Sequence, residues 1–150
     1  MNSINDLYRQ VIMDHYKSPR NKGLKDDPSY VSLRLKNPSC GDDVTIQAKL
    51  ENGIITSIRH EGSGCSICCS SASVMSEVLI GKTIPEAKAI IEDFYRLIKG
   101  EEVQDVDRLD EAIAYQGVAN FPARVKCATL SWRALGAILE GARGEKNVEQ

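Results

Sequence analysis

The chain predicts an α+β fold: a small three-stranded antiparallel sheet with helices packed on one face. Three observations predict it. Strand-type alternation is confined to residues 31–60, helix-type periodicity dominates from Ser66 onward, and an Asn52-Gly53 pair separates two alternating runs. The 150 residues suit a single domain, 1–150, with a polar tail, 144–150, expected to fray.

Each element has its own signal. Ile4, Leu7, Tyr8, Val11, Ile12 and His15 recur at helical spacing, and Ser3 with Asp6 resembles a capping box. Pro19 and Gly23 end that helix. Val31, Leu33 and Leu35 alternate with polar residues, as do Val44, Ile46, Ala48 and Leu50. Asn52-Gly53 favours a type I′ turn into a third strand from about Ile54 to His60. A two-residue turn pairs Leu50 with Ile55 but sends Ile58 to the opposite face, which leaves the register of this strand open to a bulge or a longer loop. Ser66 to Ile80 reads as one helix ended by Gly81. Ile84, Ala87, Ile91, Phe94 and Ile98 line another, ended by Gly100, with Pro85 tolerated near its start. Residues 101–120 are acidic first and then hold a short apolar stretch, Leu109 to Tyr115. A last helix begins near Pro122 and buries Val125, Ala128, Trp132, Leu135 and Leu139.

The charge balance narrows the function. A net charge of -2 with dispersed Lys and Arg gives no footprint for nucleic acid. The first residues lack the basic-then-apolar pattern of a signal peptide, and no run approaches the ~18 apolar residues of a membrane span. A cytoplasmic protein with no membrane partner is expected. There, five cysteines point to metal binding or thiol chemistry rather than disulfides.

Cys40 lies in the turn Asn37-Pro38-Ser39-Cys40-Gly41-Asp42, Cys65 between the third strand and the next helix, and Cys127 in the first turns of the last helix. All three fall at element ends, where functional side chains are displayed. The spacing is not that of a zinc ribbon, since only Cys65-x-x-Cys68 forms a pair. Three remote cysteines can still converge, with Asp42 as the natural fourth ligand. Three thiolates and a carboxylate suit tetrahedral zinc, or an iron–sulfur cluster; the carboxylate, a harder ligand, would be the exchangeable one. The helix start at Cys65 favours its thiolate, and Arg124 and Lys126 are expected to do the same for Cys127. Gly62-Ser63-Gly64 reads as flexible backbone beside the site.

Three segments carry a family resemblance. Asn37-Pro38-Ser39-Cys40-Gly41-Asp42, Gly64-Cys65-Ser66-Ile67 and Arg124-Val125-Lys126-Cys127-Ala128-Thr129-Leu130-Ser131-Trp132 resemble the motifs of the NifU N-terminal, IscU-like scaffold family, nearest its SufU branch. The segment Leu7 to Tyr16 and Asn21-Lys22-Gly23 resemble that branch too. The resemblance implies a SufE/NifU-like, IscU-like fold and zinc-dependent transfer of persulfide sulfur, with a pyridoxal-phosphate (PLP) cysteine desulfurase as donor and a downstream cluster-assembly complex as receiver. It implies metal ligation by Cys40, Asp42, Cys65 and Cys127. Cys40 would be the sulfur acceptor, and Arg124 would position the persulfide. The alternative it implies is a scaffold holding a transient [2Fe–2S] cluster on Cys40, Cys65 and Cys127. Lys126 stands where the housekeeping scaffold has His, and Phe121-Pro122-Ala123-Arg124-Val125 replaces its chaperone-docking motif.

Cys68 and Cys69 depart from the family pattern and read as buried apolar residues, because their helical face continues into Ala72 and Met75. A thioredoxin-like pair at Cys65 and Cys68 would need parallel βαβ units, which the pattern lacks. His15 and His60 are expected not to be ligands, and Trp132 to be core.

Overall fold

The computed structural model describes residues 3–38 and 40–147; side chains of residues 3–5, 146 and 147 lie outside the description. In chain order the elements are α1 (Ser3–Lys17), β1 (Tyr30–Asn37), β2 (Asp42–Glu51), β3 (Ile54–Ser63), α2 (Ser66–Leu79), α3 (Ile84–Ile98), a 3₁₀ segment (Val106–Asn120), α4 (Pro122–Leu139) and β4 (Gly144–Asn147).

The β2–β3 hairpin turns on Asn52 and Gly53, both at positive φ (54° and 76°), as a type I′ turn requires. Leu50 pairs with Ile55 and Ala48 with Ile58, so Thr56 is the extra residue of a β-bulge. The bulge puts Ile55 and Ile58 both inside, although they are three positions apart. On the same face Leu33 pairs with Ile46 and Leu35 with Val44, and α2 and α4 pack over that apolar layer.

The sheet has four strands, in the order β3-β2-β1-β4, not the three expected. Gly144–Asn147, read from sequence as tail, pairs parallel to Leu33–Lys36 of β1, and Glu145 meets Lys36 at 2.8 Å. No apolar residue marks this strand; it is recruited by the open edge of β1, whose backbone groups need partners. Residues 148–150 of the expected tail lie outside the described residues.

The helices follow their start and stop signals. Thr83 and Glu86 form a reciprocal capping box at α3. Gly100, at φ 78°, closes α3, with Glu101 N–H donating to the Arg96 carbonyl. Phe94 of α3 stacks on Trp132 of α4 (centroids 4.0 Å apart), and Tyr115 leans on Phe94 at 6.1 Å. The indole N–H of Trp132 donates to Ser71 Oγ on α2, so α2, α3 and α4 meet at one point.

Residues 101–120 are tied down by a buried anion. Asp93 accepts from Arg108 (2.8 Å), Arg96 (2.9 Å) and the backbone N–H groups of Gln104 and Asp105. On α1, His15 is buried as expected, but Leu7, placed on the apolar stripe, is 56% exposed. The segment after α1 crosses beside the sheet: Gly23 N–H donates to the His60 carbonyl, His60 N–H donates to the Asn21 carbonyl, and Gln47 brackets Lys25.

Candidate metal centre

Asn37 ends β1, and its carbonyl accepts from the N–H groups of Cys40 (3.3 Å) and Gly41 (2.9 Å). Gly41 takes φ 78°, a conformation costly for other residues, which turns the chain sharply enough to bring Cys40 and Asp42 to one side. Cys40 is exposed, while Asp42, the first residue of β2, is only 3% exposed. The Cys40 Sγ and the Asp42 Oδ2 lie 3.3 Å apart.

The other carboxylate oxygen, Oδ1, accepts from the backbone N–H of Cys65 at 3.2 Å. That contact depends on Gly64, since a Cβ there would run into the Asp42 carboxylate. The glycine was read as flexible backbone; its role in the structure is to let two chain segments approach. Cys65 is the N-cap of α2, and its side chain makes no capping hydrogen bond.

Cys127 sits in the second turn of α4, buried, with its thiol in hydrogen-bonding reach of the Asp42 and Cys65 side chains. The Cys40 and Cys127 sulfurs and an Asp42 oxygen all lie within 4.8 Å of one another. Cys65 is not within that mutual distance of all three, though its side chain is in reach of the Cys127 thiol.

Arg124 and Lys126 were expected to favour the Cys127 thiolate. The structure reverses that expectation. Burial, then Asp42 and Cys65, push the Cys127 thiol up, far above the usual thiol range. Without a cation the Cys127 thiol stays protonated here; a bound cation would invert that balance. The donor set therefore fits a soft tetrahedral ion.

Arg124 is exposed on α4, three residues before Cys127, and lines a groove of about 670 Å³ with Tyr8, Arg9, Ile67, Val118 and the 61% exposed Phe121. Sequence reasoning missed this groove, because its walls come from α1, the 3₁₀ segment and two helix starts.

Cys68 is buried in the core beneath α2, and burial pushes its thiol well up. Cys69 is half-buried, points its Sγ at the Gly64 carbonyl (3.8 Å) and, together with Cys68, His60 and Lys22, lines a cavity of about 280 Å³. His60 donates from Nε2 to the Arg20 carbonyl, and burial lowers its pKa, so it is held neutral. His15 is occupied on both nitrogens, by Ser73 Oγ (2.7 Å) and Glu111 Oε1 (2.8 Å), bracing α1 against α2 and the 3₁₀ segment.

By chemistry this is a thiol-rich metal- or sulfur-handling protein, three cysteines set around one sheltered carboxylate on an α+β frame. The chain belongs to the NifU-like N-terminal domain family, whose model matches residues 7–128. It is 47% identical to the zinc-dependent sulfurtransferase SufU of Bacillus subtilis (strain 168), over 89% of each chain. It is 37% identical to the iron–sulfur cluster assembly scaffold protein IscU of Streptococcus pyogenes serotype M1, over 100% of this chain and 94% of that one. Among solved structures, one described as an iron–sulfur cluster assembly scaffold protein for the SUF system, from Fervidobacterium islandicum AW-1, superposes with a TM-score of 0.78 at 34% identity, covering 87% of this chain and 94% of the other. No described helix is long and apolar enough to cross a membrane.

Proposed function

We propose that the chain is a zinc-dependent sulfur-transfer protein of iron–sulfur cluster assembly. It would work in the cytosol with a PLP-dependent cysteine desulfurase and pass sulfur to a downstream assembly complex. The observation that carries this reading is the exposed Cys40 sulfur lying 3.3 Å from the buried Asp42 carboxylate, with the buried Cys127 beside both. The names of the two relatives support the reading from outside the structure.

Cys40, Asp42, Cys65 and Cys127 would hold the zinc, which when bound keeps the site thiols deprotonated. Of the three cysteines, Cys40 is the exposed one, so it is the sulfur a donor can reach. The Cys40 thiolate attacks the terminal sulfur of the donor's persulfide. A new S–S bond forms on Cys40, the donor's S–S bond breaks, and the donor cysteine leaves as its thiolate. Asp42 anchors the turn that presents Cys40, through the Cys65 N–H. Arg124, exposed at the groove's edge, supplies positive charge near an arriving persulfide anion.

The test is elemental analysis and persulfide labelling of anaerobically purified protein. One zinc per chain, colourless protein and persulfide uptake lost in Cys40→Ala are expected. Uptake that survives in Cys40→Ala would overturn the transfer mechanism. The scaffold reading, which the IscU relatives' names favour, predicts instead iron, labile sulfide and a brown colour at the same residues.

A further inference from the structure

Cys68 and Cys69 have no part in the chemistry above. Yet Cys65 is the N-cap of α2 and Cys68 the third residue of its first turn. The N-cap and third helical positions face each other across the first turn, as the capping box shows by bonding each side chain to the other residue's backbone N–H. The same chain shows it at α3, where N-cap Thr83 Oγ1 donates to Glu86 Oε1 at 3.2 Å. Ideal helix geometry puts Cα atoms three residues apart at about 5 Å, inside the roughly 4.4–6.8 Å span of disulfides.

The two sulfurs differ in access. Cys65 is half-buried and can be met from solvent, while Cys68 lies inside, beneath it. Nothing restrains Cys65 by capping. Cys69 is engaged elsewhere, its Sγ turned toward the Gly64 carbonyl at 3.8 Å.

We propose that Cys65 and Cys68 form an oxidisable dithiol, which a low-molecular-weight disulfide closes into an intramolecular Cys65–Cys68 bond, withdrawing Cys65 from the metal centre. The second half rests on the ligand reading given under Proposed function. The Cys65 thiolate attacks one sulfur of the small disulfide, forming a mixed disulfide and releasing one small thiol. The Cys68 thiol then attacks the Cys65 sulfur, the Cys65–small-thiol S–S bond breaks, and the Cys68 proton goes to the departing small thiolate. Two protein thiols are oxidised by two electrons, and one small disulfide is reduced to two thiols. Metal on Cys65 blocks the first attack, so loading protects the dithiol and oxidation shuts out the metal.

The experiment uses the full chain, zinc-loaded and chelator-stripped, incubated with oxidised glutathione, then trapped, digested and mapped by mass spectrometry. The expected result for stripped protein is a Cys65–Cys68 linked peptide, loss of zinc uptake, and recovery of uptake on reduction. Zinc-loaded protein should form the link more slowly. Cys68→Ala, which keeps the buried position apolar, should stop at a glutathione adduct on Cys65, and Cys69→Ala should still form the link. No internal link, a link from Cys65 to Cys69, or linked protein that still takes up zinc would overturn the proposal. Untreated protein that takes up no zinc would instead overturn the ligand reading and the withdrawal that rests on it, and leave the dithiol standing.

Discussion

Asp42 and Asp93 are both buried aspartates, 3% and 0% exposed, and their surroundings are opposite. Asp93 is surrounded by donors: two guanidinium groups and two backbone N–H groups converge on it. Asp42 meets one backbone N–H and the sulfurs of Cys40 and Cys127, and among the described residues no guanidinium or ammonium pairs with it. An interior carboxylate is costly unless something positive offsets it. Asp93 has that offset within the chain. Asp42 lacks it, which is the physical reason for assigning its partner to a bound cation.

The largest test of the contrast is to remove the compensated anion. Asp93→Ala should destabilise the fold by about 3 kcal/mol, the low end for breaking a buried ion pair, because Arg96 and Arg108 both reach water. Denaturant unfolding reads this directly, and an unchanged midpoint would break the comparison. The pH dependence follows. Burial pushes the Asp93 carboxyl up, but the bonds from Arg108, Gln104 and Arg96 outweigh it and hold it below the ordinary 3.8. A lowered folded pKa stabilises above the unfolded value and stops doing so as pH falls through the folded one. The wild-type and Asp93→Ala stability curves should therefore be parallel near neutrality and converge below pH 3.8.

Asp42→Ala should behave the other way. The metal-free chain should change in stability by no more than about 1 kcal/mol, since a costly uncompensated carboxylate is removed along with its one backbone bond. Zinc affinity, measured by competition with a chromophoric chelator, should fall by more than about 100-fold. A metal-free chain that unfolds on this change would make Asp42 a structural anion like Asp93.

The smallest expected effect is at Gly64. Gly64→Ala pushes a methyl group against the Asp42 carboxylate without deleting any donor, and zinc affinity should drop about 10-fold in the same assay. An unchanged affinity would show that the close approach of the two segments does not set the carboxylate's position.

The hairpin, its bulge and the four helices were legible because each carries a local signal: Asn52-Gly53, the mismatch between Ile55 and Ile58, and the Thr83–Glu86 cap. The turn containing Cys40 and Asp42 was legible for the same reason. β4 was not, because a polar strand recruited by a neighbour's open edge has no pattern of its own. The proton-holding state of Cys127 was missed because it depends on burial and on two residues distant in sequence, not on the basic neighbours beside it. The exposure of Leu7 shows the same limit: helical spacing marks a face, and tertiary packing decides how much of it is covered.

β1, the strand that leads into the Cys40 turn, is paired on both sides next to that turn. β4 lies along Leu33–Lys36, and the stretch around Asn21 and Gly23 bonds to His60. A visiting chain therefore cannot add a strand against β1 itself. Recognition of the Cys40 turn is left to side-chain shape and charge, so partner choice can drift by surface substitution while the frame that aims the sulfur stays as it is.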